Sequence, residues 1–406
     1  MKHFWRDGLT PRSSCNRIGT MENEYKDCLD AIEKILDKIT FYFPKSEGIH
    51  IGLPYPFVAP SGKRTLFEND QFYWDSYFII LGLTESGHIE LAKGMIENLA
   101  YLYRRFGIIP SRNRYYNLGI SQPPFFTSMA LEVFHCTKDM EWLKEMVKVG
   151  EGELQNYWTN KVHKAYKGLS RYCDHWNTHL TSEHEAGWDM TSRFQNRCLD
   201  FLPVDLNTLL YKYEIDLVDI YKILGKTGKT EKYLTLAEKR KTLINKLMWN
   251  EEKGFYFDYN YRKKSQSGFF SLAGFYPLWA GVATKEQAKK MLSNIRIFEY
   301  EGGLANTQKE GLSEEFKQWD YPNGWPNQQW IVIKGLWNYG YREEAKRLAK
   351  KWLDTNKGAY EKCGTFWEKY NVVKKGKAKC GRYPTQKGFG WTNGVFIKLV
   401  KLLELK

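Results

Sequence analysis

The sequence lacks the patterns that mark disulfide, metal or nucleotide chemistry. Its seven cysteines are scattered, odd in number and never form a CxxC pair, which is typical of a reducing compartment. No GxxxxGK(S/T), GxGxxG or GxSxG string occurs, so the common signals for nucleotide, dinucleotide and serine-hydrolase chemistry are missing. His175 and His179 are four residues apart, but Trp176 stands where the zinc motif HExxH has a glutamate. We therefore expect neither a metal nor a cofactor.

Long hydrophobic runs are also missing. No uninterrupted apolar stretch approaches the ~18 residues of a membrane span, and the N-terminal residues contain no apolar segment of the kind found in secretory signals. We therefore expect no membrane contact and a cytoplasmic location. Residues 1–22 are predicted to form a flexible leader. Residues 23–406 contain no Ser/Gly linker and no break in composition, so we expect them to form a single domain.

The charge is strongly positive, yet it does not predict a nucleic-acid partner. The 61 Lys and Arg residues outnumber the 47 Asp and Glu residues, which gives a net charge of +14. These cations are spread along helical stretches such as residues 232–246 and 342–357 and form no basic arm. No helix-turn-helix, zinc finger or aromatic RNA-binding strand is recognisable, so we expect no nucleic acid.

Much of the chain has the spacing of amphipathic helices. In residues 23–42, apolar side chains recur every three or four positions, which is the helical period. The same period recurs in residues 89–105, 140–157, 206–224, 231–249, 285–295, 330–339, 342–353 and 392–405. The clearest strand signal is GFYFDY at residues 254–259, which is short enough for a hairpin between helices.

Loops rich in glycine, proline and aromatic residues separate the predicted helices. They cover residues 53–77, 110–124, 183–193, 318–325, 364–371 and 381–393. Sugars have apolar ring faces and a belt of hydroxyls, so a sugar site needs aromatic platforms beside planar polar groups. Packing at a helix end explains a single loop of this kind better than a sugar site does, but six of them favour a carbohydrate pocket.

Four carboxyl groups in these loops are candidates for acid and base chemistry. They belong to Asp75, Asp189, Asp320 and Glu368. Glycoside hydrolysis commonly needs one protonated carboxyl group and one ionised carboxylate. A carboxyl group beside tryptophan has a raised pKa when desolvation outweighs nearby positive charge. Spacing does not choose among the four, because they come from different loops.

Five sequence blocks resemble those of the trehalase family, within a wider clan of inverting α-glycosidases. They are FYWDSY at 72–77, AGWDMTSRF at 186–194, QWDYPNGWP at 318–326, EKY at 368–370 and GFGWTNGV at 388–395, in the family's order. The resemblance implies an all-α (α/α)6 toroid with short β-hairpins in its loops, and an active site at the mouth where the loops gather. The same clan includes mannosylglycerate and glucosylglycerate hydrolases.

The resemblance also implies roles for individual residues. Asp189 corresponds to the general acid of the family, and Glu368 corresponds to its general base. The substrate-binding candidates are Arg64, Trp74, Asp75, Gln122, Gly187, Trp188, Arg193, Trp319, Asp320, Trp325, Arg382, Tyr383 and Trp391. Among these, Trp319, Asp320 and Trp325 would shape the pocket wall, where packing explains them as well as direct contact does.

Some positions depart from the family pattern. Arg64 corresponds to the arginine of the first signature only if extra residues are inserted, and Ile120 replaces an arginine that contacts glucose. Arg382 replaces an acidic residue before Tyr383. Because a guanidinium binds a carboxylate in a bidentate fork, Arg382 favours an anionic aglycone such as glycerate.

These features predict an inverting glycoside hydrolase that acts on a small-molecule α-glycoside. We expect it to hydrolyse α,α-trehalose to two glucose molecules, as a monomer or a small homo-oligomer. A mannosylglycerate or glucosylglycerate hydrolase is the alternative on the same fold. A catalytically silent sugar-binding relative is the alternative from another class of protein.

Overall fold

The computed structural model describes residues 20–405, and helices dominate it. The helices are α1 (Thr20–Glu24), α2 (Lys26–Ile39), α3 (Tyr73–Glu85), α4 (Ile89–Phe106), α5 (Phe126–Thr137), α6 (Met140–Glu153), α7 (His179–Glu185), α8 (Val204–Ile223), α9 (Thr227–Met248), α10 (Tyr276–Trp279), α11 (Lys285–Ser293), α12 (Pro326–Asn338), α13 (Arg342–Cys363) and α14 (Gly390–Glu404). The leader predicted over residues 1–22 lies outside the described residues, except for residues 20–22, which begin α1. Within residues 20–405, no helix combines the length and apolar character that a bilayer crossing needs.

Two kinds of helix alternate along the chain. Helix α3 buries eleven of its 13 residues, whereas α13 buries eight of its 22 residues and none of its charged ones. A helix with one apolar face covers a core, while a helix that is apolar all round must be enclosed by other elements. Accordingly α2, α4, α6, α9, α11 and α13 form an outer set, and α3, α5, α8, α10, α12 and α14 form an inner set.

The inner helices contact one another in chain order and close into a ring. Helix α3 packs on α5, α5 on α8, α8 on α10, α10 on α12, and α12 on α14. Helix α14 then returns to α3, where a Cβ on Gly82 would lie 2.5 Å from the Cα of Gly394. Two glycines therefore let the first and last inner helices touch through their backbones. This double ring is the (α/α)6 toroid expected from the sequence.

Short antiparallel strands connect the loops. They are β1 (Thr40–Phe41), β2 (Phe57–Val58), β3 (Lys164–Tyr166), β4 (Leu169–Ser170), β5 (Phe201–Leu202), β6 (Trp249–Asn250), β7 (Phe255–Tyr256), β8 (Tyr259–Asn260), β9 (Ser265–Gln266), β10 (Glu299–Tyr300), β11 (Gly303–Leu304), β12 (Asn323–Gly324), β13 (Tyr370–Asn371) and β14 (Gly376–Lys377). The strand signal at residues 254–259 contains β7, which pairs with β6 in a hairpin, and the first residue of β8. Strand β12 pairs with β13, with Asn323 opposite Asn371. This pairing brings the QWDYPNGW loop beside the loop that carries Glu368.

The helical period predicts neither α3 nor α5. Helix α3 begins at Tyr73, so the C-terminal end of the predicted loop 53–77 is helical. Helix α3 is buried on nearly every side, and α5 buries seven of its 12 residues; a helix with little or no polar face shows little alternation of polar and apolar residues. Because α3 begins at Tyr73, Trp74 and Asp75 lie in the first turn of an inner helix.

Candidate active site

Five tryptophans from four segments of the chain pack into one cluster where the inner helices begin. Trp319 stacks on Trp325, with ring centres 3.9 Å apart and planes 2° from parallel. Trp319 also lies 5.6 Å from Trp74 and 5.3 Å from Trp188, and Trp391 lies 5.7 Å from Trp74. All five rings are buried. They form an apolar cluster, of the kind a sugar ring face requires, beside the polar groups described next.

Gly187 is required by this cluster. Its φ of +72° is in the left-handed region, and a Cβ at this position would lie 2.6 Å from the Trp74 ring. A side chain would therefore have to displace the indole. The glycine before Trp188 thus lets the loop that carries Asp189 lie against the first turn of α3.

Glu368 is buried, and each of its carboxylate oxygens accepts one hydrogen bond. The Tyr383 hydroxyl donates to Oε1 at 2.7 Å, and the Lys369 ammonium donates to Oε2 at 2.7 Å. The Trp391 indole donates to the Glu368 backbone carbonyl at 3.2 Å. Since each carboxylate oxygen has two lone pairs, both oxygens can still accept a proton or another hydrogen bond.

Asp189 is in a different environment. Burial raises the pKa of its carboxyl group to about 6, the charge of Glu368 adds to that rise, and the Arg382 guanidinium opposes it. Arg382 donates from Nη1 to Asp189 Oδ2 at 3.1 Å. The Asp189 side chain is 28% exposed, whereas that of Glu368 is 1% exposed. Asp189 therefore holds a proton at higher pH than an ordinary aspartate, as a general acid must.

A third carboxyl group, that of Asp75, lies near Glu368 and Asp189. Burial raises the pKa of Asp75 well above its usual range, with further contributions from the charges of Glu368 and Asp189. The pKa of Tyr383 is also raised well above its usual range, first by burial and then by the charges of Glu368, Asp189 and Asp75. The structure thus brings three of the four candidate carboxyl groups close enough for their charges to act on one another and on Tyr383, whose hydroxyl contacts Glu368.

The fourth candidate, Asp320, joins two loops. Its carboxylate accepts hydrogen bonds from the Ser192 amide at 2.9 Å and from the Thr191 hydroxyl at 2.8 Å. The backbone carbonyl of Asp189 accepts a hydrogen bond from the Gln318 amide. The QWDYPNGW loop therefore holds the Asp189 loop in place through Asp320 and Gln318, and a sugar contact by Asp320 stays a prediction.

Two other predicted substrate-binding residues, Gln122 and Arg193, are buried. The Gln122 side chain is buried, and its carbonyl oxygen accepts a hydrogen bond from the Trp74 backbone amide at 3.3 Å, beside the tryptophan cluster. Arg193 is fully buried, and its guanidinium is held by Asp205 and Asp258 at 2.6 to 2.7 Å. These pairs fix the segment after Asp189.

Arg64 is exposed in a loop, where its backbone amide donates to Glu68. Neither Arg64 nor Arg193 contacts the three carboxyl groups through any hydrogen bond of the described residues. Sugar contacts by these two arginines stay predictions.

Two further polar side chains, Lys369 and His184, lie close to the carboxyl groups. Lys369 contacts Glu368, and the only signal for it is a charged residue inside the aromatic FWEKYN string. The His184 imidazole lies 2.8 Å from Arg382 Nη1, and burial followed by the charge of Arg382 lowers its pKa to about 4. The contact of His184 does not follow from spacing, because Arg382 comes from a distant loop.

Comparisons with known proteins agree with this architecture. A sequence model of the trehalase family matches residues 30–187 and 173–404. The periplasmic trehalase of Escherichia coli O1:K1 / APEC is 31% identical, over 99% of this chain and 78% of that protein. The structure of neutral trehalase Nth1 from Saccharomyces cerevisiae has a TM-score of 0.77 and 31% identity, over 86% of this chain and 74% of that one.

A more distant structure shares the fold. The GH63 mannosylglycerate hydrolase from Thermus thermophilus, in complex with Tris and D-glycerate, has a TM-score of 0.69 at 17% identity and covers 91% of this chain and 98% of that one. The family match spans most of the chain and coincides with the clustered carboxyl groups. The chain therefore belongs to the trehalase family and is a glycoside hydrolase.

Proposed function

We propose that this enzyme hydrolyses α,α-trehalose to two glucose molecules with inversion at the cleaved anomeric carbon. The observation that carries the proposal is the pairing of Asp189, whose pKa is raised to about 6, with Glu368, whose two oxygens are held by Tyr383 and Lys369. Asp189 is suited to give a proton, and Glu368 is oriented to receive one. The trehalases among its relatives support this substrate.

The reaction is a single displacement. Asp189 gives its proton to the glycosidic oxygen as the bond to the anomeric carbon breaks. Glu368 takes a proton from a water molecule, whose oxygen attacks that carbon from the opposite face. Inverting enzymes hold the two carboxyl groups ~6.5 to 9.5 Å apart, which leaves room for this water. The products are one β-glucose and one α-glucose. Asp189 is left ionised and Glu368 protonated, and the cycle closes when Glu368 releases its proton to solvent and Asp189 takes one up.

The cleaved sugar is bound by groups that surround both carboxyl groups. Asp75 and the Trp74 ring lie in the first turn of α3, where a carboxyl group and an apolar face meet. Asp75 is almost fully buried and has a raised pKa. Sugar hydroxyls can accept or donate hydrogen bonds at such a group, so its desolvation is offset when substrate binds.

A second candidate substrate is an α-glycosyl glycerate. Arg382 is 49% exposed and contacts Asp189, the residue that protonates the leaving group. A group in contact with the acid also lies near the aglycone. Its guanidinium can bind a carboxylate on that aglycone in a bidentate fork.

A substrate panel tests the choice. The purified chain is incubated with trehalose, mannosylglycerate and glucosylglycerate, and released glucose and mannose are measured, with Glu368→Gln as the inactive control. Glucose from trehalose supports the proposal. Release only from a glycosyl glycerate favours the second candidate, and tight sugar binding without hydrolysis at any pH indicates a silent relative. Early proton NMR spectra should show β-glucose formed in step with α-glucose, and α-glucose alone would contradict inversion.

We also propose a cytoplasmic location. The cysteines within residues 20–405 are free thiols, and free thiols persist most readily in reducing compartments. The Escherichia coli relatives are named as periplasmic trehalases, so the location of this chain needs its own test. Cell fractionation should recover it with cytoplasmic markers, and recovery with periplasmic markers would contradict the proposal.

A further inference from the structure

Lys369 is a fully buried lysine that takes no part in the two proton transfers described above. Its ammonium lies 2.7 Å from Glu368 Oε2, 4.6 Å from the centre of the Trp325 ring and 5.1 Å from that of Tyr383. The Glu368 carboxylate is the one hydrogen-bond acceptor of this ammonium among residues 20–405. Taking an ammonium out of water costs several kcal/mol, a cost that the Glu368 carboxylate and the two aromatic rings offset.

The charges that face Glu368 show why a cation is needed there. Asp75 comes from α3 and Asp189 from the loop after α7, and the charges of both interact with that of Glu368. Tyr383 donates a hydrogen bond but carries no charge. Arg382 is directed at Asp189 and is about half exposed. Lys369 is therefore the cation in direct contact with Glu368 in the described part of the chain.

We propose that Lys369 is a positioning residue that keeps Glu368 ionised beside two other carboxyl groups and fixes the rotation of its carboxylate toward the attacking water. This inference rests on the proposed function, because it assigns the proton acceptor of that reaction. Lys369 itself transfers no proton. The water proton goes to a free lone pair of Glu368, while the ammonium and the Tyr383 hydroxyl hold the two oxygens.

Three substitutions separate the charge of Lys369 from its volume and its hydrogen bond. Lys369→Met keeps much of the length but removes the charge and the donor, Lys369→Gln keeps a donor without charge, and Lys369→Arg keeps both charge and donor. Lys377→Met is the matched control, because Lys377 lies 4.5 Å from the centre of the Trp367 ring but is exposed and has no contact with Glu368. Circular dichroism and thermal unfolding establish which variants are folded.

The first measurement is the pH dependence of kcat/KM with α-glucosyl fluoride, a substrate whose fluoride leaves without help from an acid and which therefore reports on the base. Loss of the cation makes Glu368 take up a proton more readily, so the acidic limb should move upward by about 1 to 3 pH units in Lys369→Met and Lys369→Gln. Lys369→Arg and Lys377→Met should keep the limb in place. An unmoved limb in the folded neutral variants would overturn the proposal, and Lys369→Gln decides where Lys369→Met does not fold.

A second measurement is independent of turnover. Carbon NMR of protein labelled at the glutamate carboxyl carbon, assigned with Glu368→Gln, follows the protonation of Glu368 directly. Its titration midpoint should rise in Lys369→Gln and stay in place in Lys377→Met. If wild-type protein cleaves neither trehalose nor the fluoride, the proposed function fails, and this titration still decides the role of Lys369. An unchanged midpoint would rule that role out.

Discussion

Arg382 donates a hydrogen bond to Asp189, the group that we assign as the general acid. The Nη1 to Oδ2 distance is 3.1 Å, and the same nitrogen lies 2.8 Å from the His184 imidazole. The charge of Arg382 lowers the pKa of Asp189, against a larger rise caused by burial. The guanidinium therefore sets the upper pH at which Asp189 still holds its proton.

Replacement of Arg382 by methionine should move the alkaline limb of activity upward. Without the guanidinium, the pKa of Asp189 rises above its value of about 6, so the acid stays protonated to higher pH. We expect a shift of about 1 pH unit in the alkaline limb of kcat/KM. The control is Arg262→Met, since Arg262 is exposed and lies near Asp200, away from the site. A limb that stays in place or moves downward would contradict this electrostatic role.

Two substrates should separate the acid from the base. Asp189→Asn removes the proton donor, so hydrolysis of trehalose should fall ~10² to 10⁴-fold. Hydrolysis of α-glucosyl fluoride should be largely spared, because fluoride needs no proton to leave. Glu368→Gln should lose both activities, and Asp219→Asn, a partly exposed position on α8, should keep both. Equal losses on the two substrates in Asp189→Asn would refute the assignment of the acid.

The sequence predicts the outer helices better than the inner ones, and the cause is physical. Residues 89–105 and 342–353 show a clear helical period because α4 and α13 each have a solvent face. Helix α3 is enclosed on nearly all sides, so its residues show no such alternation. The closure of α14 onto α3 depends on contact between distant glycines, which no local pattern reveals.

Some features of the site also follow from the sequence, and others depend on tertiary contacts. Carboxyl groups beside tryptophans in loops identify Asp75, Asp189 and Glu368 as candidates, but their meeting depends on closure of the ring. Only the family resemblance selected the acid and the base. The burial of Arg193 between two aspartates was not predictable, because Asp205 and Asp258 come from a helix and a loop with no shared motif. Charge partners inside a fold are set by tertiary contacts.

Gly187→Ala should disturb the site without touching a carboxyl group. The new Cβ would lie 2.6 Å from the Trp74 ring, at a φ of +72° that alanine rarely adopts. We expect unfolding to become easier by about 1 to 3 kcal/mol and turnover to fall ~10²-fold, the scale of a 1 Å misplacement of reacting groups. Gly228→Ala in α9 is the control, because no heavy atom lies within 4 Å of its added Cβ. Chemical denaturation and kcat measured on both variants check the prediction, and wild-type values for Gly187→Ala would refute it.

Glu153 makes the packing around the start of α3 depend on pH. It is fully buried at the end of α6 and accepts hydrogen bonds from Tyr73 at 2.9 Å, Tyr213 at 2.6 Å and Trp158 at 3.0 Å. Burial raises its pKa from 4.5 to about 7, although these hydrogen bonds oppose the rise. Tyr73 begins the helix that carries Trp74 and Asp75, so the protonation of Glu153 bears on the base of the site.

The free energy of unfolding should therefore fall as the pH rises from 4.5 to 7. In this window the folded chain keeps the proton on Glu153 while the unfolded chain has released it, so the stabilisation is complete below about pH 4.5 and lost above about pH 7. Glu153→Gln should remove a slope of up to about 1.4 kcal/mol per pH unit, measured by urea unfolding at several pH values. Glu141→Gln on the same helix is the control, because that side chain is 83% exposed and should leave the slope unchanged. If Glu153→Gln keeps the full wild-type slope, the buried proton is not on Glu153, and another raised carboxyl group such as Glu183 must carry it.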